Sequence, residues 1–187
     1  MAILEDPFFS NDWASSSNYG VLGAVIGHEM THGFDDQGRL FDGVGKLGKY
    51  WSDAANAEFK QRSDCLVAQF SAYEPAPDRY IDGAATLGEN IADLGGLKLS
   101  HTAFESAEKD SSPSPRFDRE QAFFVSYAQG WCAAQSPEAL AHQLSTDVHS
   151  RAQYRVNGVV QNLPEFATAF HCKAGAKLAP KARCSVW

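Results

Sequence analysis

The stretch Val25-Ile26-Gly27-His28-Glu29-Met30-Thr31-His32-Gly33-Phe34-Asp35-Asp36 decides the reading of this 187-residue chain. Val21, Leu22, Val25 and Ile26 recur at helical spacing, so the segment from Tyr19 to about Gly33 reads as a helix. Gly33 and the turn-forming run Asp35-Asp36-Gln37-Gly38 stop it. On a helix, His28 and His32 share one face, and both imidazoles can reach one metal ion. Glu29, one step round, is placed to hold a water on that metal. This is the HExxH arrangement, in which zinc lowers the pKa of its water and the carboxylate takes the proton. A five-residue pattern also arises by chance. Two histidines and a glutamate inside a strongly apolar helix are costly, however, unless they have a partner.

Such a centre needs a third protein ligand. Glu89, in Gly88-Glu89-Asn90-Ile91-Ala92-Asp93, is the best candidate. Asp93 follows four residues later on the same helical face, so one carboxylate can ligate while the other orients a histidine. The competing reading is a solvent-facing pair of acids. Leu87, Ile91 and Leu94 flank the pair, and Gly95-Gly96 follow, which argues for a buried helix that another helix approaches closely. Asp35 or Asp36 can hydrogen-bond His32 from behind, and aspartate here also suits the end of a helix. His101 and His142 lie on helices with no acidic cluster nearby and read as ordinary residues. His171 abuts Cys172, and nothing completes a site there. His149, in a loop with Arg155 six residues on, suits an oxyanion donor with a carbonyl or carboxylate clamp; an ordinary surface pair is the plainer alternative.

Around these residues the chain reads as mainly helical, with little or no sheet: a ligand-bearing helix packed on the HExxH helix. Ser15-Ser16-Ser17-Asn18 reads as a cap for the first helix. A glycine-rich turn runs from Asp42 to Gly48, and Ser52 caps a helix reaching about Tyr73. Further helices are expected over Ala84 to Lys109, Asp118 to Ala134, Pro137 to Ser145 and Pro164 to Phe170. Asp110 to Pro115 reads as a solvated loop, and Tyr154 to Val160 as irregular or short extended structure.

Bulk properties narrow the classes. The length fits one domain with a real core. Apolar residues make up 44% and charged residues 21%, ordinary for a globular protein. A net charge of -7 argues against a nucleic-acid or anionic-membrane surface. No stretch approaches the ~20 apolar residues that span a bilayer. Met1 to Ser10 lacks the pattern of a signal peptide, as expected of a cytosolic protein or of a mature or truncated piece. Cys65, Cys132, Cys172 and Cys184 lack zinc-ribbon spacing. They fit free thiols in a reducing compartment or disulfides in an oxidising one.

At these residues the sequence closely resembles the neprilysin and endothelin-converting enzyme family of zinc metallopeptidases. The resemblance rests on Pro7-Phe8-Phe9, Asn18-Tyr19-Gly20, the stretch quoted first, Gly38-Arg39 and Gly88 to Gly96. It continues through Tyr127-Ala128-Gln129 with Trp131-Cys132, Thr146-Asp147-Val148-His149-Ser150, Phe170-His171-Cys172 and Cys184-Ser185-Val186-Trp187. It implies a zincin-like catalytic subdomain that takes one zinc ion at His28, His32 and Glu89, with Glu29 as general base. Asp93 is then catalytic, orienting His28 and donating a proton, and Asp35 supports His32. His149 stabilises the tetrahedral intermediate, and Arg155 grips the substrate backbone. The implied reaction is hydrolysis of short peptides beside hydrophobic residues, outside the cytoplasm. Cys65 and Cys184 resemble a disulfide pair, whereas the partners of Cys132 and Cys172 belong to an N-terminal lobe.

Family members are several times longer. Residues 1–187 therefore correspond to a single C-terminal catalytic domain, without the N-terminal lobe or the strand that binds substrate backbone. A non-catalytic zinc-binding fragment that needs that lobe is the main alternative. A peptidase of another clan, using His149 or His101 as third ligand, is a weaker one.

Overall fold

The computed structural model describes residues 2–107 and 118–187. The first long feature is one continuous helical path with changing pitch. It runs through α1 (Ser15–Asn18), a π-helical turn (Tyr19–Gly23), α2 (Ala24–Thr31) and a 3-10 turn (His32–Phe34). Ser15 to Asn18 therefore form the first turn rather than its cap. Asn18 instead closes onto Ser10, accepting from its amide at 3.2 Å and donating to its carbonyl at 2.8 Å.

Three helices follow with side-chain caps that satisfy orphan amides. Ser52 accepts from Ala55 at the start of α3 (Asp53–Ser71). Asp118 caps α5 (Arg119–Gly130), and Ser136 caps α6 (Pro137–Thr146), which opens on proline. Between α3 and α5 lies α4 (Leu87–Ser106); residues 84–86, expected at its start, form a turn instead. The expected end of that helix at Lys109, and the loop Asp110 to Pro115, lie outside the described residues.

The segment Tyr154 to Val160 departs from expectation. It belongs to α7 (Ala152–Val160). Its valines, asparagine and glycine are weak helix formers, and tertiary packing overrides them. Val159 and Val160 are buried in the core, and Tyr154 stacks on Tyr73 with ring centroids 4.7 Å apart. The last helix is α8 (Pro164–Ala169). No strand forms among the described residues, only isolated bridges such as Phe41 with Leu47 across the glycine-rich turn.

The core gathers Leu66 and Phe70 from α3, Ile91, Leu97 and Phe104 from α4, Phe123 and Phe124 from α5, and Val159. The broadest helix contact is α2 on α4. A Cβ added to Gly27 would meet Gly96 O at 2.5 Å, and one on Gly96 would sit inside the backbone of His28. The two helices thus touch backbone to backbone, as the glycine pair implied. A disulfide joins Cys65 of α3 to Cys184 of the tail; Cys132 and Cys172 are free. On the outer face of α2 and its 3-10 extension, Ile26, Met30 and Phe34 are 52%, 63% and 57% exposed. No described helix is long and apolar enough to cross a membrane.

Candidate metal centre and cleft

The close crossing of α2 and α4 brings His28 and His32 against Glu89. The two imidazole Nε2 atoms are 3.0 Å apart. Glu89 reaches both with its carboxylate, Oε2 to His28 Nε2 at 3.3 Å and Oε1 to His32 Nε2 at 3.5 Å. The opposite ring nitrogens face carboxylates: His28 Nδ1 lies 2.8 Å from Asp93 Oδ1, and His32 Nδ1 lies 2.7 Å from Asp35 Oδ2. A carboxylate beside Nδ1 favours the proton there, so that Nε2 is the nitrogen that faces Glu89 and can ligate. Two Nε2 atoms and a carboxylate then converge on one point, the donor set of a metal centre once the Nε2 atoms are free of protons. In a tetrahedral centre with bonds of about 2.0–2.1 Å, neighbouring donor atoms sit roughly 3.3–3.4 Å apart. The three donors here match that spacing, so the residues present fit a zinc ion.

Of the sequence-predicted residues, Glu29, Asp93, His149 and Arg155 line one cleft of about 310 Å³ together with His28. Glu29 is exposed at its mouth. Asp35 lies behind His32; its Oδ1 also accepts from the amides of Gln37 and Gly38, so the same side chain ends the helix. Asp36 does not share that role and bonds its neighbour Gln37.

Asp93 is buried and fully engaged. Arg155 donates to it twice, Nε to Oδ2 and Nη2 to Oδ1, both at 2.7 Å. Burial disfavours its charge, yet the bonds from His28 and Arg155 win, and its carboxyl is held below the usual range. Glu89 is shifted the same way: burial opposes its charge, and His28, His149 and Arg155 outweigh it. Burial likewise opposes charge on His28, but Asp93 and Glu89 raise it to about 9. Arg155 Nη2 also lies 3.3 Å from Glu89 Oε2. His149 directs Nε2 to within 3.2 Å of the same oxygen.

Several contributors carried no clear sign in the sequence. Asp147 accepts from both the amide and Nδ1 of His149, at 2.9 and 2.7 Å. An aspartate two residues before a loop histidine is the one pattern pointing to it. The Trp131 ring supports the Arg155 guanidinium at 4.0 Å, and the Tyr127 hydroxyl donates to the Arg155 carbonyl at 3.0 Å. Neither contact is local in sequence. His101 needs correcting: it is buried, with Nε2 2.8 Å from Glu120 of α5 and Nδ1 3.8 Å from Glu105. It therefore does have acidic neighbours, and α5 supplies the closer one. It stands apart from the cleft-lining residues and bonds α4 to α5.

Comparison with known proteins agrees with this fold. Neprilysin-1 of Caenorhabditis elegans is 46% identical over 193 residues, covering 99% of this chain and 26% of that protein. Human membrane metallo-endopeptidase-like 1 is 43% identical over 192 residues, covering 99% of this chain and 25% of its own length. The crystal structure of Mycobacterium tuberculosis zinc metalloprotease Zmp1 with an inhibitor superposes over 100% of this chain and 30% of that one. Its TM-score is 0.94 at 37% identity. The chain thus spans about a quarter of the length of the curated relatives it matches. A family model described as peptidase family M13 matches residues 1–186, and the chain belongs to that family.

Proposed function

We propose that residues 1–187 form the catalytic unit of a zinc-dependent endopeptidase, with one zinc ion held by His28, His32 and Glu89. The observation that carries this reading is the convergence of three donor groups, spaced as zinc ligands, at the edge of a cleft lined by Glu29, His149 and Arg155. Bound zinc supplies Lewis-acid activation of water and of a substrate carbonyl.

The chain's own residues do the rest. Glu29 takes the proton of the attacking water and passes it to the leaving amine. His149, held by Asp147, offers Nε2 to the developing oxyanion. Arg155 is anchored through Nε and Nη2, leaving Nη1 outside that ion pair for a substrate carbonyl. Asp93 orients His28 and Arg155. Both its oxygens accept from these groups, so its place here is orientation rather than proton donation.

The cleft wall supports a preference for hydrophobic residues in peptide substrates: Phe8, Val21, Ala24, Val25 and Trp131 line it. The Cys65–Cys184 bond suits an oxidising compartment outside the cytoplasm.

A second reading draws on the outer face of α2. The uncovered stripe of Ile26, Met30 and Phe34 flanks Glu29, and this chain matches a quarter of its relatives. Both facts favour a chain that binds zinc yet needs more of the fold, an N-terminal lobe, to hold substrate. Incubation with zinc and a quenched hydrophobic peptide separates the two. Cleavage that Glu29→Gln lowers by about 100-fold or more, with zinc retained, supports the peptidase. One equivalent of zinc without cleavage supports the dependent unit. Wild-type rates from Glu29→Gln would end the proposed mechanism.

A further inference from the structure

Two residues beside the candidate catalytic groups, Asn90 and Ser150, are buried and have no part in the chemistry above. Asn90 follows Glu89 on α4, and Ser150 follows His149 in the loop before α7. They are 1% and 3% exposed. Their side chains meet: Ser150 Oγ donates to Asn90 Oδ1 at 3.0 Å. The Asn90 amide donates onward to Thr86 Oγ1 at 2.9 Å, and that hydroxyl donates to Asp82 O at 2.9 Å. The result is a buried polar chain from the loop, through α4, to the turn that precedes it.

The geometry points to Asn90 and Ser150 as positioning residues that set the register of His149 over Glu89. Neighbours on a helix point about 100° apart, so Glu89 faces the cleft while Asn90 faces the loop. Adjacent loop residues divide in the same way: His149 is 43% exposed in the cleft, and Ser150 points inward. The Ser150–Asn90 bond therefore fixes, one residue behind the site, the 3.2 Å approach of His149 Nε2 to Glu89 Oε2. Other bonds hold the loop's flanks, and Arg155 ties the following helix to Asp93 of α4. Gln143 donates to the His149 carbonyl from α6, and Asp147 orients the ring from within the loop itself. Of these contacts, the Ser150–Asn90 bond is the one that ties the loop to the ligand helix. Asparagine suits the position because it accepts from Ser150 and donates to Thr86 at once. An apolar replacement would strand the buried Ser150 hydroxyl, while that of Thr86 would keep its bond to Asp82.

This inference rests on the peptidase reading for its effect on rate, but not for its effect on the loop. In an active chain, Ser150→Ala should lower kcat by about 10- to 100-fold, the scale of a catalytic group displaced by about an ångström. KM should stay within about twofold and zinc affinity unchanged, since substrate and metal meet other residues. Ser150→Thr, which keeps the hydroxyl, should recover most of the rate. In a His149→Ala background, Ser150→Ala should cost nothing further, because it acts through that ring. An equal cost in both backgrounds, or wild-type kcat, overturns the proposal.

Hydrogen exchange and the His149 ring resonances read the loop whether or not the chain turns over. Ser150→Ala or Asn90→Ala should speed amide exchange at residues 147–151 by about tenfold or more and move the ring resonances. Unchanged exchange and unchanged resonances overturn the positioning role even in an inactive chain. Failure of the peptidase reading shows separately, as Glu29→Gln turning over like wild type.

Discussion

Single atoms do the deciding at the proposed metal centre. The pattern His28-Glu29-Met30-Thr31-His32 announces two ligands by their spacing, and Glu89 with Asp93 follows from the same arithmetic on a second helix. What spacing cannot supply is which nitrogen each carboxylate meets. Asp93 and Asp35 both take Nδ1, which leaves the two Nε2 atoms as donors. A pH dependence follows. His28 is raised from an ordinary 6.5 to about 9, so at neutral pH it is protonated in the metal-free chain. Zinc must displace that proton. Apparent zinc affinity should therefore rise with pH between 6.5 and about 9, and binding near neutrality should release about one proton. Calorimetry in buffers of different ionisation enthalpy measures this; an affinity flat across that interval would refute it. Trp131 and Tyr127 were not legible because each acts on Arg155 through a contact that only the folded chain makes, whereas Asp147 bonds His149 locally and left a weak pattern two residues before it.

Elements were readable to the extent that their stabilisation is local. Ser52 caps its helix as its place in the sequence implies, because a cap bonds an amide three residues away. The segment that became α7 was not readable, since its weak helix formers are held by α3 and α4 across the core. The crossing of α2 and α4 falls between these cases. Gly95-Gly96 forecast a close approach, and the partner proved to be the HExxH helix itself. Gly96→Ala should push His28 away from Glu89 and cost about 1–3 kcal/mol, the usual range for overpacking. Thermal unfolding and zinc titration of that variant should show lower stability and weaker metal binding together. Wild-type values for both would mean that the helices can part without disturbing the ligands.

At the scale of the molecule, the Cys65–Cys184 bond closes a loop with a sequence separation of 119. Losing a cross-link over so long a loop frees much unfolded-state entropy, so Cys65→Ser/Cys184→Ser should destabilise the chain by about 2–4 kcal/mol. Denaturant titration of the variant against the oxidised parent tests this, and equal midpoints would refute it. That pairing came from family resemblance and not from the sequence pattern, which left the four cysteines undecided. Helix α2 ties the scales together. Around a single turn it faces three surroundings: the backbone of α4 at Gly27, the metal donors at His28, and open space at Ile26 and Met30. Selection acts on each by a different rule. Volume alone filters changes at Gly27, and ligand chemistry alone filters changes at His28. At Ile26 and Met30, both exposed, neither filter applies. A substitution along these eight residues is therefore tested by backbone volume, by ligand chemistry or by solvent, according to the position that it occupies.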